Sequence, residues 1–267
     1  MQRFKLKTEI CFGENSLDVL KTVKGKNAVV FTDAFLTKNG TADRIKGLLT
    51  SCENVSVYSE VKPDPPIELI AQGLKFLSDC DADVVVAVGG GSSIDAAKST
   101  IHVARNYLKK HIRLIAVPTT SGTGSEVTQF AVITDKQADK KIPIVDESLL
   151  PEMAVLSSEL TESVPPSVTA DTGFDVLTHA LEAYVSVNAN EFSDALAEKS
   201  VELFSDYMVR AYQNGHDLVA REKMHTASCL AGIAFNEASL GLNHGIAHAL
   251  GAHFHIPHGR ANAIMLP

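Results

Sequence analysis

Imidazole and carboxylate groups are concentrated in two short stretches of this sequence. Five of its ten histidines, His244, His248, His253, His255 and His258, lie within Gly241-Leu-Asn-His-Gly-Ile-Ala-His-Ala-Leu-Gly-Ala-His-Phe-His-Ile-Pro-His258. Neutral imidazole is the commonest protein ligand for transition metals. His244 and His248 are four residues apart, so a helix would put both on one face. Asp175 and His179 have the same spacing in Asp175-Val-Leu-Thr-His-Ala-Leu-Glu-Ala-Tyr184, a second helical pattern. One carboxylate with several imidazoles drawn from two or three helices is a donor set for Fe(II) or Zn(II). A lone helical histidine is more often a surface or satisfied core residue. Five within fifteen residues, interleaved with Gly, Ala, Leu and Ile, are set among residues too apolar for a solvated loop, and they point to a metal centre. Spacing alone does not say which histidines bind.

A second kind of chemistry is written in the first half. The turn Val88-Gly89-Gly90-Gly91-Ser92-Ser93-Ile94-Asp95 follows an apolar run and opens a helical pattern. Glycine lets a backbone approach a pyrophosphate closely, and the free N–H groups of a helix start can bind it. The competing reading is a plain tight turn, and the motif is neither a GxGxxG fingerprint nor a P-loop. Asp33 ends an earlier apolar run. There it can accept hydrogen bonds from ribose hydroxyls and repel a 2′-phosphate, or it can cap the next helix. A third loop, Pro118-Thr-Thr-Ser-Gly-Thr-Gly-Ser-Glu-Val127, is dense in hydroxyls and glycine, which suits phosphate or amide contacts.

The elements that must carry these groups follow from pattern. Asn27–Thr32, Asn54–Tyr58, Val84–Val88 and Leu114–Val117 are apolar runs of strand length; helical patterns lie near 35–49 and from Pro66, at its first turn, to Leu77. Strands alternating with helices predict a doubly wound, Rossmann-like parallel sheet, with ligands at its carboxyl ends. The stretch Met1–Ile10 alternates like a strand, Phe130–Thr134 and Lys141–Val145 read as a hairpin, and Met153–Leu156 as a short strand. Past Thr161-Glu-Ser-Val-Pro-Pro166 only helices are expected, over 167–186, 191–213 and 217–236. The predicted fold is therefore an α/β N-terminal domain, residues 1–162, followed by an all-α metal-binding domain, residues 163–267, with the active site in the cleft between them.

Composition bounds the partners. The chain has 267 residues, 45% hydrophobic and 21% charged, and a net charge of −8. That balance, with no Lys/Arg cluster, argues against a nucleic-acid surface, and no apolar run reaches membrane-spanning length. Cys11, Cys52, Cys80 and Cys229 are scattered without a CxxC, as suits reduced cytoplasmic thiols.

With these residues in view, the sequence resembles the iron-containing alcohol dehydrogenase family. Four blocks carry the resemblance: Gly89-Gly-Gly-Ser-Ser-Ile-Asp-Ala-Ala-Lys98; Pro118-Thr-Thr-Ser-Gly-Thr-Gly-Ser-Glu-Val-Thr128; Gly173-Phe-Asp-Val-Leu-Thr-His-Ala-Leu-Glu182; and Gly241 to Leu250 with Pro257-His258-Gly259. Phe192-Ser-Asp-Ala-Leu-Ala-Glu-Lys199, Lys223-Met-His225 and Cys229-Leu-Ala-Gly232 look most like the propanol dehydrogenases of propanediol utilisation. The resemblance implies hydride transfer between NAD and a short primary alcohol or aldehyde, with Fe2+, or Zn2+, as a Lewis acid. It implies Asp175, His179, His244 and His258 as metal ligands. His248 then lies near the metal without binding it and is a candidate proton relay, and His253 and His255 are structural. It implies Asp33, Gly89, Gly90, Gly91, Ser92, Asp95, Thr119, Thr120 and Lys141 as dinucleotide contacts. A cytoplasmic homodimer is expected, with a bacterial microcompartment as a further setting. Family members continue for roughly another hundred residues of helix, so a fragment of a longer protein is expected. The rival readings are a zinc polyol dehydrogenase, a lyase of the dehydroquinate-synthase type, and a non-catalytic, truncated folding unit.

Overall fold

The centre of the sheet is set by runs of valine, alanine and isoleucine with no polar alternation, the pattern of strands covered on both faces. The computed structural model describes residues 3–138, 140–254 and 256–266. They form two compact units. The first comprises Lys7–Pro118 and Gln129–Ser157, and the second comprises the residues up to Leu6, Thr119–Thr128 and Ser158 onward.

In chain order the first unit contains β1 (Glu9–Phe12), β2 (Gly25–Asp33), α1 (Ala34–Lys38), α2 (Thr41–Leu48), β3 (Cys52–Val61), α3 (Ile67–Asp79), β4 (Val84–Gly89), α4 (Gly91–Leu108), β5 (Arg113–Pro118), β6 (Phe130–Asp135), β7 (Lys140–Val145) and β8 (Met153–Leu156). Six strands make one parallel sheet in the order β1-β8-β5-β4-β2-β3, and β6 and β7 form an antiparallel hairpin. Every residue of β4 is buried. Phe31, Val85 and Ala87 pack against Ile94 and Ile101 of α4 and Leu69 and Leu77 of α3 in the main core. From β2 the chain adds β3 on one side and β4 on the other. The strand order therefore reverses between β2 and β4, the point at which open α/β sheets bind ligands.

Three local expectations need correcting. The helical stretch near 35–49 is two helices, because Gly40, with φ +84°, breaks it. Pro66 is the cap that precedes α3 and not its first residue. Among residues 3–10 only Glu9 and Ile10 are in a strand, since pairing with β8 covers Glu9–Phe12 alone.

The second unit holds α5 (Pro166–Tyr184), α6 (Glu191–Gln213), α7 (Leu218–Ala238), α8 (Leu242–Phe254) and α9 (His258–Met265), with no strand among its described residues. Each boundary has a local cause. Pro166 sits at the first position of α5, where its missing N–H costs nothing. Asn190 and Ser193 cap α6 reciprocally. Buried Arg221 of α7 donates to Thr169 Oγ1 (2.7 Å), Val164 O (2.9 Å) and Gly215 O (3.0 Å), one bond from each guanidinium nitrogen.

Residues 119–128 pack with these helices, which departs from a single cut between 162 and 163. A Cβ on Gly124 would lie 2.6 Å from the Cα of Gly232 in α7, and Ser121 Oγ is 2.9 Å from His225 Nδ1. Two glycine backbones in contact hold the loop against α7. No described helix is long and apolar enough to cross a membrane.

Candidate metal centre

Asp175 and His179 lie one turn apart on α5, and Glu182 follows on the same face. His244 is in the first turn of α8, and His258 is the first residue of α9. The structure brings Asp175, His179, His244 and His258 together, one donor atom from each, all within 4.8 Å of one another. His258 Nε2 is 3.4 Å and His244 Nε2 3.7 Å from Asp175 Oδ1. Donors on a tetrahedral cation bound at about 2.0–2.2 Å are separated by about 3.3–3.6 Å. The donor types suit a divalent transition metal, and the separations of 3.4 and 3.7 Å from Asp175 lie close to that range.

Close packing holds His258 in place. A Cβ on Gly259 would overlap the carbonyl oxygen of Asp171 in α5 and lie 2.6 Å from its carbon, so α9 approaches α5 as only glycine allows. Arg260 grips the Asp171 carboxylate with two bonds of 3.1 Å.

The electrostatics follow from burial and proximity. Burial would raise the carboxyl pKa of Asp175, but the three imidazoles outweigh it and hold the group well below the usual range. Burial drives His179 down to about 3, with the neighbouring imidazoles adding to the effect against the pull of Asp175. Its ring is stacked between Phe235 and His244, each centroid 4.5 Å away, a setting for a neutral ring. Burial also pulls His244 down, but Asp175 and Glu182 outweigh it and raise it to about 9.

Two residues of the site carry no role in the sequence reading. Glu182 accepts from the backbone N–H of Asn243 (2.6 Å) and of His244 (3.3 Å), and its Oε2 is 2.5 Å from His244 Nδ1. It satisfies the open first turn of α8 and fixes the ring with Nε2 facing Asp175. Asn262, one turn beyond His258, is fully buried and contacts three of the four donors. Helical spacing from assigned residues was the available signal for both. His248 is exposed, stacks on His258 at 5.0 Å and lies outside the four-donor set. His253 is exposed, and His255 lies outside the described residues.

In the first unit, β2 and β4 are neighbours, and their carboxyl ends carry Asp33 and the glycine turn. Gly90 precedes α4 without a side-chain cap, and Gly91 and Ser92, both half-buried, open the helix. Gly89 has φ +146°, and a Cβ there would overlap Ser93 Oγ. Gly89→Ala is expected to lower stability by about 1–3 kcal/mol, read as a drop in the denaturant midpoint; an unchanged midpoint would show that the turn relaxes freely. Asp33 Oδ1 accepts from Leu36 N at 2.9 Å, so the residue is a helix cap whatever else it does. Asp95 accepts from Val132 N at 3.0 Å, and Lys141 Nζ is paired with Asp64 at 2.8 Å. Thr119 and Thr120 follow β5 directly in the chain; Thr119 is buried.

The residues thus assembled match known proteins along the whole chain. Residues 7–158 match the model of iron-containing alcohol dehydrogenases, and residues 169–267 match the model of the C-terminal part of that family. The chain belongs to the iron-containing alcohol dehydrogenase family. It is 46% identical over 266 residues to 1-propanol dehydrogenase PduQ of Citrobacter freundii, covering 100% of this chain and 72% of that one. It is 41% identical over 284 residues to the NADPH-dependent butanol dehydrogenase of Clostridium saccharobutylicum, covering 100% and 73%. Among solved structures, sulfoacetaldehyde reductase from Bifidobacterium kashiwanohense in complex with NAD+ superposes with a TM-score of 0.93 at 31% identity, covering 100% and 75%. An iron-containing alcohol dehydrogenase is an oxidoreductase, and both parts of the family's architecture, the parallel sheet and the helical region, are present here.

Proposed function

We propose that this chain carries a metal-dependent, NAD-linked alcohol dehydrogenase activity toward a short primary alcohol and its aldehyde, such as 1-propanol and propanal. The sheet-bearing part serves the dinucleotide, and the helical part serves Fe(II), with Zn(II) as the alternative. The observation that carries this reading is the convergence of Asp175, His179, His244 and His258, three of them buried, on one small volume. The similarity to a 1-propanol dehydrogenase supports the substrate class. The reading includes a homodimer in the cytoplasm or in a bacterial microcompartment.

When bound, a divalent cation supplies Lewis-acid polarisation of an alcohol oxygen, and nicotinamide supplies a hydride acceptor. The protein's own groups have distinct tasks. Asp175 stays ionised and His179 stays neutral, so each presents a lone pair. Glu182 holds His244 by Nδ1, which leaves Nε2 facing the other donors. Exposed His248, stacked on His258, moves a proton between the centre and solvent. Asp33, Gly89 to Ser92, Asp95, Thr119, Thr120 and Lys141 are assigned to the dinucleotide.

The test is anaerobic purification, addition of Fe(II) or Zn(II), and measurement of NADH formed from a series of short alcohols. NADH produced from 1-propanol with Fe(II) is expected. A protein that stays silent with every alcohol and either metal is not this enzyme.

Coenzyme choice rests on Asp33. Two like charges about 4 Å apart near a protein surface repel by roughly 4 kcal/mol. Asp33→Gly is therefore expected to narrow the preference for NAD over NADP by about tenfold or more, while losing only a few tenths of a kcal/mol of capping energy. A variant that rejects NADP as strongly as before would leave Asp33 as a cap alone. A relative described as NADPH-dependent makes this comparison of kcat/KM values decisive.

A further inference from the structure

Asn262 carries a primary amide against three of the four donors. The residue is fully buried. Its Nδ2 lies 2.7 Å from Asp175 Oδ1, 3.0 Å from His244 Nε2 and 3.2 Å from His258 Nε2. The other end of the amide is anchored, since Asn243 Nδ2 donates to Asn262 Oδ1 at 3.0 Å and to Asn262 O at 3.3 Å. That anchor fixes the orientation. A reversed amide would set its oxygen against the Asp175 carboxylate and turn its nitrogen toward another N–H donor.

An amide NH2 is a donor with no lone pair to offer. The atoms it meets are those that a cation would use. One proton is directed at Asp175 Oδ1 and the other at His258 Nε2, while the His244 ring, set between the Asp175 and Glu182 carboxylates, is a neighbour and not an acceptor. The amide and a divalent cation therefore compete for the lone pairs of Asp175 and His258. Accepting on its oxygen from Asn243 also polarises the amide and strengthens it as a donor on the nitrogen side.

We propose that the Asn262 carboxamide, anchored by Asn243, is a positioning group for the metal ligands: it holds Asp175 and the His258 ring by their ligating atoms, and a cation must displace it to bind. Asn262 thereby stabilises the metal-free protein selectively and weakens metal retention. This inference rests on the metal-binding reading given above.

The consequence is a thermodynamic asymmetry. Removing the amide lowers the stability of metal-free protein more than that of loaded protein, so by linkage the variant holds its metal more tightly. A merely structural asparagine would weaken both forms alike.

The test uses the whole chain, stripped with a chelator and titrated with Zn(II) alone. Melting temperature is read with and without Zn(II), and affinity is read by competition with a chromogenic chelator. Asn262→Ala is expected to widen the Zn(II)-induced rise in melting temperature and to tighten Zn(II) binding on the order of tenfold, the scale of one hydrogen bond to a charged group. Asn262→Asp keeps the shape, replaces the donor with a negative acceptor, and is expected to move both readings further in the same direction. Asn243→Ala releases the anchor without touching a ligand and is expected to give the same sign with smaller size. Equal loss of stability with and without Zn(II), or binding that is unchanged or weaker in Asn262→Ala and Asn262→Asp, would overturn the inference. Wild-type protein that takes up no Zn(II), or uptake that survives Asp175→Ala, would overturn the metal-binding reading itself.

Discussion

His258→Ala protein is expected to leave purification without its divalent cation and to lose turnover by about a hundredfold or more, while still binding the dinucleotide. The magnitude has a lower bound. Losing an outer partner of a metal ligand typically costs 10- to roughly 100-fold in affinity or activity, and His258 would be a ligand itself. The fold should survive. The side chain is about one-third exposed (32%), so truncation leaves little buried cavity. The glycine turn at the end of β4 belongs to the other compact unit and keeps its residues. Metal content by elemental analysis and NADH binding by fluorescence separate the two effects. Unchanged metal content in this variant would remove His258 from the ligand set.

Gly259→Ala is expected to do nearly the same damage from one position away, by a different route. The added methyl would overlap the Asp171 carbonyl oxygen and lie 3.3 Å from Asp175 Cβ. The obstacle is main chain of α5, which cannot rotate aside as a side chain can. Overpacking of this kind typically costs about 1–3 kcal/mol, or about 2–4 °C of melting temperature per kcal/mol in a chain of this size class. Relief would come from α9 sliding away from α5, which carries His258 off Asp175. Lower thermal stability together with reduced metal content is the expected pair of results. Loss of stability with full metal retention would show that α9 absorbs the methyl without moving its histidine.

Much of the fold was legible in local signals. The uninterrupted apolar runs of β4 and β5 marked buried parallel strands, and the helical pattern over 191–213 matches α6. Gly40 also carried a visible signal, since glycine tolerates the positive φ that ends one helix and opens the next, yet the periodicity of the flanking residues ran across it. At the N-terminus the alternating pattern was real but insufficient. A strand extends only as far as its partner, and β8 offers four residues.

Long-range contacts were not legible. That residues 119–128 pack with the helices depends on Gly124 meeting Gly232, more than a hundred positions away along the chain. The hydroxyl-rich look of that loop suggested a ligand role. Its glycines are accounted for, at least in part, by packing. The donors were readable as residue types and spacings, and family resemblance selected among the histidines. The supporting residues were not. Glu182 follows His179 by three positions and Asn262 follows His258 by four, so spacing put each near a ligand. What spacing does not carry is that Glu182 meets His244, from a different helix, or that the Asn262 amide turns inward.

A single stretch of α5 bears Asp175, His179 and Glu182. Helices wind from local bonds alone, faster than distant segments find one another. During synthesis or refolding, half of the centre therefore exists as a two-pronged claw as soon as that helix is wound. Helices α8 and α9 follow later in the chain and act as the latch, with Asp171 as the catch that receives Arg260. On the metal-binding reading, an ion captured early would guide the latch home, and metal supply during biosynthesis would then bear on how much of the protein is finished correctly.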